Sequence, residues 1–235
     1  MFPASQIIEL SQIVYEDNHL IIINKKASEI VQGDKTGDMP LSEKVKNYIK
    51  QRDNKPGNVF CGVCHRLDRP VSGIVIFAKT SKALSRINEL FRDKTIQKTY
   101  WAVVKNKPAK ESDTLINYLW KNEKQNKSYV CNADKKGGLK SELSYKLVNS
   151  SDNYSLLEIN PITGRHHQIR VQLSNIGCPI KGDLKYGSQR SNPDGSIHLH
   201  ARGIRFNHPV TKDPMFLQAA PPDESLWNYF YQLGV

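Results

Sequence analysis

The chain has 235 residues, room for one large domain or two small ones, and its 38% hydrophobic content is enough for a sizeable core. Its 34 Lys and Arg against 23 Asp and Glu give a formal charge of +11, which favours a polyanionic partner, nucleic acid first and an acidic membrane surface second. No apolar run nears the roughly 20 residues that span a bilayer, and Met1 to Gln6 carries no Lys or Arg ahead of an apolar stretch, so a secretory signal is excluded and a cytoplasmic protein is expected.

In chain order, Ile13 to Asn18 and His19 to Lys25 read as strand, turn, strand, the second rich in β-branched residues. Residues 33–40 hold Gly33, Gly37 and Pro40 and read as a loop. Leu41, Val45, Tyr48 and Ile49 fall on one helix face, with Lys44, Lys46 and Lys50 on a solvated one, before Pro56-Gly57. Cys61-Gly62-Val63-Cys64 has C-x-x-C spacing but no second pair and no matching His ligands. It reads as reduced, inert thiols in a buried strand. Ile74 to Ala78 is an apolar run of strand length. Ser81 is the expected N-cap of a second amphipathic helix through Ala83, Leu84, Ile87, Leu90 and Phe91.

Lys98 to Val104 reads as a strand and Lys105 to Lys110 as a loop. Residues 111–127 read as a short helix or an irregular segment. Three strands follow as a meander, Tyr129 to Cys131, Ser141 to Val148 and Tyr154 to Ile159. A turn at Pro161 to Arg165 leads to a helix starting at His166 and stopped by Gly177. Asp183 to Tyr186 reads as a loop between Gly182 and Gly187, and 188–196 as polar and irregular. His198 to Phe206 and Met215 to Ala219 read as strands, and Leu226, Tyr229, Phe230 and Leu233 as a final helix. Many strands with few helices, out of strict alternation, predict an α+β fold. No repeat or linker shows, so residues 1–235 are expected to form a single domain.

The chemistry concentrates in His65-Arg66-Leu67-Asp68-Arg69-Pro70-Val71-Ser72-Gly73. Asp68 lies between two arginines, hung from the apolar run that follows, and nearby positive charge favours its ionised form. Taken alone, such an Asp reads first as one half of a structural ion pair. Other segments stand out: Lys98-Thr99-Tyr100; Thr163-Gly164-Arg165-His166-His167-Gln168-Ile169-Arg170; and Ile180-Lys181-Gly182-Asp183 with Tyr186-Gly187. Adjacent residues on a helix do not face each other, so His166 and His167 make a poor metal pair. His198 and His200 share a strand face and make a better one, but no acid at suitable spacing completes a site, and no metal is expected.

Together these segments, with Leu199-His200-Ala201 and His208-Pro209, resemble the RluA-type pseudouridine synthases in order and spacing from about Ile13 to Pro222. The resemblance implies a bent, mostly antiparallel mixed sheet with flanking helices and a central RNA-binding cleft. It implies an isomerase that turns chosen uridines of ribosomal or transfer RNA into pseudouridine without a cofactor, as a cytoplasmic monomer. Asp68 is then the catalytic carboxylate, acting as nucleophile on sugar or ring or as base at the 2′ position. Arg170 is its basic partner, Tyr100 stacks on the target base, Arg66 fills the gap left when the base is flipped out, and Arg165 belongs to the substrate-binding set. The sequence departs from the family where Val71 replaces a usual Thr, Lys26 a usual Pro, and His166 a frequent Thr. The first family strand begins near residue 13, so the small RNA-binding domain that precedes the catalytic one in many members is not expected. Two other readings are a silent RNA-binding relative, and a nucleobase glycosylase or metal-dependent nuclease using Asp68 and the histidines.

Overall fold

The computed structural model describes residues 2–34 and 36–233, so Lys35 of the expected 33–40 loop and the outermost ends of the 1–235 span lie outside the described residues. In chain order the elements are β1 (Ile13–Glu16), β2 (Leu20–Lys25), α1 (Leu41–Arg52), β3 (Gly62–Val63), β4 (Ser72–Ala78), α2 (Ser81–Arg92), β5 (Gln97–Val104), β6 (Ser112–Asn122), β7 (Lys127–Cys131), β8 (Leu139–Ser150), β9 (Ser155–Pro161), α3 (Gln168–Asn175), β10 (Leu199–Asn207), β11 (Pro214–Gln218) and α4 (Ser225–Gln232). The α+β class expected from the sequence is the one found. No helix of the described residues is long and apolar enough to cross a membrane. The chain divides into two compact units, 1–97 with 202–220, and 98–201 with 221–235.

In the first unit β2 lies between β1 and β4, all antiparallel, with β3 against the end of β4 and β11 against the last five residues of β10. The tight turn between β1 and β2 is made by Asp17, whose Oδ1 accepts from the N–H groups of His19 and Leu20, both at 2.7 Å. β4 is buried along its whole length. That explains its unbroken apolar sequence: a strand covered on both faces needs no polar alternation. Leu20, Ile22, Ile74 and Ile76 face the cluster that includes Ala83 and Ile87 of α2. Ile21, Ile23, Val75 and Phe77 face the cluster of Leu41, Val45 and Ile49 from α1. The α2 cap is Thr80, not Ser81: its hydroxyl accepts from the Ala83 N–H at 3.1 Å while its backbone stays extended.

In the second unit the strand order is β5, β9, β8, β6, β7, again antiparallel throughout. Here two expectations fail. Residues 112–122 are a strand of eleven residues, neither helix nor irregular. Leu115 and Leu119, four apart, suit a helix face, but four is also an even number and puts both on one face of a strand. The expected meander is also interrupted, because β6 inserts between β7 and β8. α4 packs through Trp227 and Phe230 onto Trp101, Val103 and Leu156, while Tyr229 and Leu233 are exposed. The buried face of this helix is therefore rotated from the one its apolar spacing predicted.

Candidate active site

Asp68 sits half-buried in the irregular stretch between β3 and β4. Its neighbours fix that stretch from two sides. The His65 ring accepts from the Ile76 N–H of β4 at 3.1 Å and lies 5.0 Å from the Phe91 ring of α2. Leu67 packs on the opposite cluster, against the α1 side. Val71 stands where the family usually has Thr; it is 2% exposed, and its N–H donates to the Asp68 carbonyl at 3.0 Å, a backbone bond that helps to close this turn. Gly73 follows with φ +113, in register with Lys25 of β2, a conformation that glycine takes without the penalty of a side chain.

The cation that organises this loop is Lys25. It continues the inward-pointing series Ile21, Ile23 and is fully buried. Its ammonium donates to the carbonyls of Lys26, Glu29 and Arg69 at 2.9, 2.8 and 3.1 Å. The Arg69 carbonyl also accepts from the Ser28 N–H at 2.9 Å, so the turn after β2 and the Asp68 loop are laced together next to the carboxylate. Burial pushes the Lys25 pKa down to about 8, while the charges of Glu29 and Asp68 hold it up. Arg69 turns its guanidinium to Asp38, and Arg66 is exposed. In the sequence Lys25 shows only as the end of a strand; the sign of its role is a lysine placed in phase with buried isoleucines.

Cys61 and Cys64 pack into opposite clusters, on the α1 and α2 sides respectively. Burial pushes both thiols up to about 12, consistent with the inert reading.

In the second unit Tyr100 stands on β5 opposite Ile159, and burial lowers the pKa of nearby Lys98. Arg170, 6% exposed on α3, makes a two-pronged contact with Asp183, Nε to Oδ2 at 2.7 Å and Nη2 to Oδ1 at 2.8 Å. Asp183 is 1% exposed. Gly182 before it has φ +86, and a Cβ there would lie 2.7 Å from the Ser196 carbonyl, so only glycine delivers Asp183 to this place. The guanidinium also lies 5.1 Å above the Tyr186 ring.

The loop ahead of α3 is stapled by Gln168. Its Oε1 accepts from the Thr163 hydroxyl at 2.7 Å and the Arg165 N–H at 3.0 Å, and its Nε2 donates to the Glu142 carbonyl at 3.0 Å. Arg165 itself is exposed and donates from Nε to the Lys140 carbonyl at 3.1 Å. His166 and His167 precede the helix and do not lie on it. Their rings stack at 3.7 Å because His167 takes the left-handed conformation, φ 53. His167 Nδ1 is 2.9 Å from the Tyr186 hydroxyl, whose oxygen accepts from the Ser128 N–H at 2.8 Å. Burial and then the Arg170 charge push the His167 pKa down to about 2, so the ring is neutral and Nδ1 accepts the tyrosine proton. Tyr186, from a segment that already stood out in the sequence, and Ser128, which did not, thus brace the helix that carries Arg170.

His198 has partners on both ring nitrogens, Asn192 and Glu224, each at 3.0 Å, and stacks on Trp227. His200 meets the same indole edge-on. Both serve the docking of α4. Among the described residues no group of three or more His, Cys, Asp or Glu side chains is arranged to hold a metal.

Residues 19–175 match the family model described as RNA pseudouridylate synthase. Ribosomal large subunit pseudouridine synthase C of Vibrio vulnificus (strain CMCP6) is 36% identical over 221 residues, covering 91% of this chain and 66% of that protein. The protein of that name from Rickettsia prowazekii (strain Madrid E) is 34% identical, covering 89% and 68%. The chain thus spans about two thirds of the length of these curated relatives. Human RNA pseudouridylate synthase domain containing 4 shares the fold, with a TM-score of 0.77 at 23% identity, covering 94% of this chain and 91% of that one. On these matches and the motifs they span, the chain belongs to the RNA pseudouridylate synthase family, in its RluA-type branch.

Proposed function

We propose that this chain isomerises uridine to pseudouridine in large-subunit ribosomal RNA, with Asp68 as the reacting carboxylate. The observation that carries the reading is the fixing of Asp68: a half-buried carboxylate on a loop clamped by His65, Leu67 and the buried Lys25. A surface ion pair needs no such support, whereas a reacting group must be held within a fraction of an ångström. In this reading the uracil leaves the sugar, turns over and rejoins through carbon, so one carboxylate and no net redox change suffice. Arg170, held by Asp183, supplies the basic role; Tyr100 stacks on the flipped base; Arg66 occupies the vacated stack; Arg165 contacts the RNA backbone. The protein acts in the cytoplasm as a monomer, and residues 1–235 form one catalytic domain. The choice of ribosomal over transfer RNA follows the names of the relatives.

The test is pseudouridine mapping of ribosomal and transfer RNA from cells with and without the gene, repeated with purified protein and deproteinised RNA. Loss of defined large-subunit sites that the purified protein restores supports the reading. Intact ribosomal sites with a missing transfer RNA site would correct the substrate, and no change in either RNA would overturn the activity.

A further inference from the structure

The hairpin of β6 and β7 carries an aromatic surface that the proposed reaction does not use. Residues directly opposed in antiparallel strands share a sheet face. Tyr100, Ile159, Tyr145 and Asp113 are opposed in turn across β5, β9, β8 and β6, and so lie on one face. The even-numbered residues of β6, Ile116, Tyr118 and Trp120, therefore point to the reverse face. Tyr129 of β7 stands opposite Trp120, with ring centroids 6.4 Å apart. α4 covers this reverse face over β5 and β9 through Trp227 and Phe230. At the hairpin it is open: Ile116 is 54% and Tyr129 36% exposed.

Cations already sit on these rings. Lys135 Nζ is 5.0 Å from the centre of the Trp120 ring, and Lys127 Nζ, at the strand edge, is 5.3 Å from that of Tyr129 and 5.2 Å from that of Tyr186. The turn that carries Lys135 is closed by the Gly138 N–H donating to its carbonyl at 2.8 Å. Gly137, φ +82, brings that turn down on Trp120, where an added Cβ would touch the indole at 3.5 Å. Lys140, opposite Tyr118, is 55% exposed and lies 3.5 Å from Glu142 Oε2, a surface pair that a phosphate can displace. Residues 121–146 hold seven lysines against three acids. Lysine is depleted from protein–protein interfaces, whereas aromatic platforms rimmed by cations bind single-stranded nucleic acid.

We propose that this reverse face of the β6–β7 hairpin is a second RNA-contact surface, which stacks an unpaired base on Trp120 and Tyr129 and takes the adjoining phosphates on Lys127, Lys135 and Lys140. It holds a single-stranded segment away from the target uridine and gives affinity with little sequence preference. The proposal rests on the RNA-isomerase reading for its biological substrate, but its physical core, binding of a single strand, is tested separately.

The experiment measures fluorescence anisotropy of a labelled 20-nucleotide oligouridylate with the full chain and its variants, alongside KM and kcat for pseudouridine formation on deproteinised ribosomal RNA. The double variant Trp120→Ala/Tyr129→Ala should bind the oligonucleotide about tenfold more weakly and raise KM by a similar factor at unchanged kcat. Trp120→Phe should recover most of the affinity. Lys135→Glu/Lys136→Glu, both on the exposed turn, should weaken binding and flatten its salt dependence, with circular dichroism confirming an intact fold. Unchanged affinity and KM in both double variants would overturn the proposal. So would a wild-type dimer that Trp120→Ala/Tyr129→Ala converts to monomer, since the face would then be a self-association surface. Failure of the wild type to form pseudouridine would refute the activity and leave the anisotropy series to decide the platform.

Discussion

Arg170 and Asp183 meet through two parallel N–H···O bonds in the interior of the second unit, with 6% and 1% of their surfaces exposed. A planar guanidinium gripped at two points has a fixed orientation, which a lysine ammonium does not. Breaking such a pair by removing one partner strands a buried charge, at a cost of about 3–5 kcal/mol. Asp183→Asn should therefore lower the stability to urea by that order and reduce turnover. Arg170→Lys should retain part of the stability and lose most of the turnover. A cost below about 1 kcal/mol for Asp183→Asn in denaturant titrations would mean that solvent reaches Arg170 and that the pair is not what holds it.

Asp68→Asn preserves shape and removes charge. Single-turnover pseudouridine formation should fall to background while RNA affinity changes little. Retention of more than about a tenth of the wild-type rate, a barrier change of only ~1.4 kcal/mol, would refute the assignment of Asp68 as the reacting group.

Lys25 gives a pH dependence with opposite signs for stability and activity. Its folded pKa of about 8 lies below the ordinary 10.5 because of burial. Between these values the unfolded chain holds a proton that the folded chain has released, so this group's contribution to stability rises with pH across that window and is level above it. Activity should instead fall as pH passes about 8, because the ammonium that laces the Asp68 loop is lost. Thermal melts at pH 7 and 9.5, compared with Lys25→Met, check the first part: the wild-type difference should shift upward relative to the variant. A rate profile flat from pH 7 to 9.5 would argue against the second.

Arg66 and Tyr100 should act at different moments. Arg66→Ala should be most impaired on structured RNA and least on RNA whose target uridine lies unpaired, where less unstacking is needed. Tyr100→Phe keeps a stacking surface worth roughly 1–3 kcal/mol, so its binding should persist while Tyr100→Ala weakens. Equal impairment of Arg66→Ala on both RNAs, together with full activity of Tyr100→Ala, would dismiss both roles.

The elements that were legible in the sequence share a physical cause. β2, β4 and α2 bury faces whose periodicity is unambiguous, and His65 to Gly73 carries turn and charge signals at short range. What was obscured depends on contacts distant in sequence. β6 was misread because Leu115 and Leu119 fit two periods, and only pairing with β7 and β8 selects the strand. Arg69 looked like a partner of Asp68 by adjacency, yet its guanidinium reaches Asp38, thirty-one positions earlier. Lys25 ends an apolar strand and Asp183 stands in a segment that drew attention, but the burial of the first depends on the 26–29 turn and the Arg69 carbonyl, and that of the second on the Gly182 turn.

Because β4 is enclosed on both faces, its amides should be among the slowest in the chain to exchange with deuterium, opening only when the first unit unfolds as a whole. The strand begins within four residues of Asp68, so the Asp68 loop inherits that reluctance at one end while Arg66 remains exposed at the other. An inhibitor sought for this protein would therefore meet a nearly rigid floor at Asp68, and whatever adaptability it could exploit would lie on the Arg66 side.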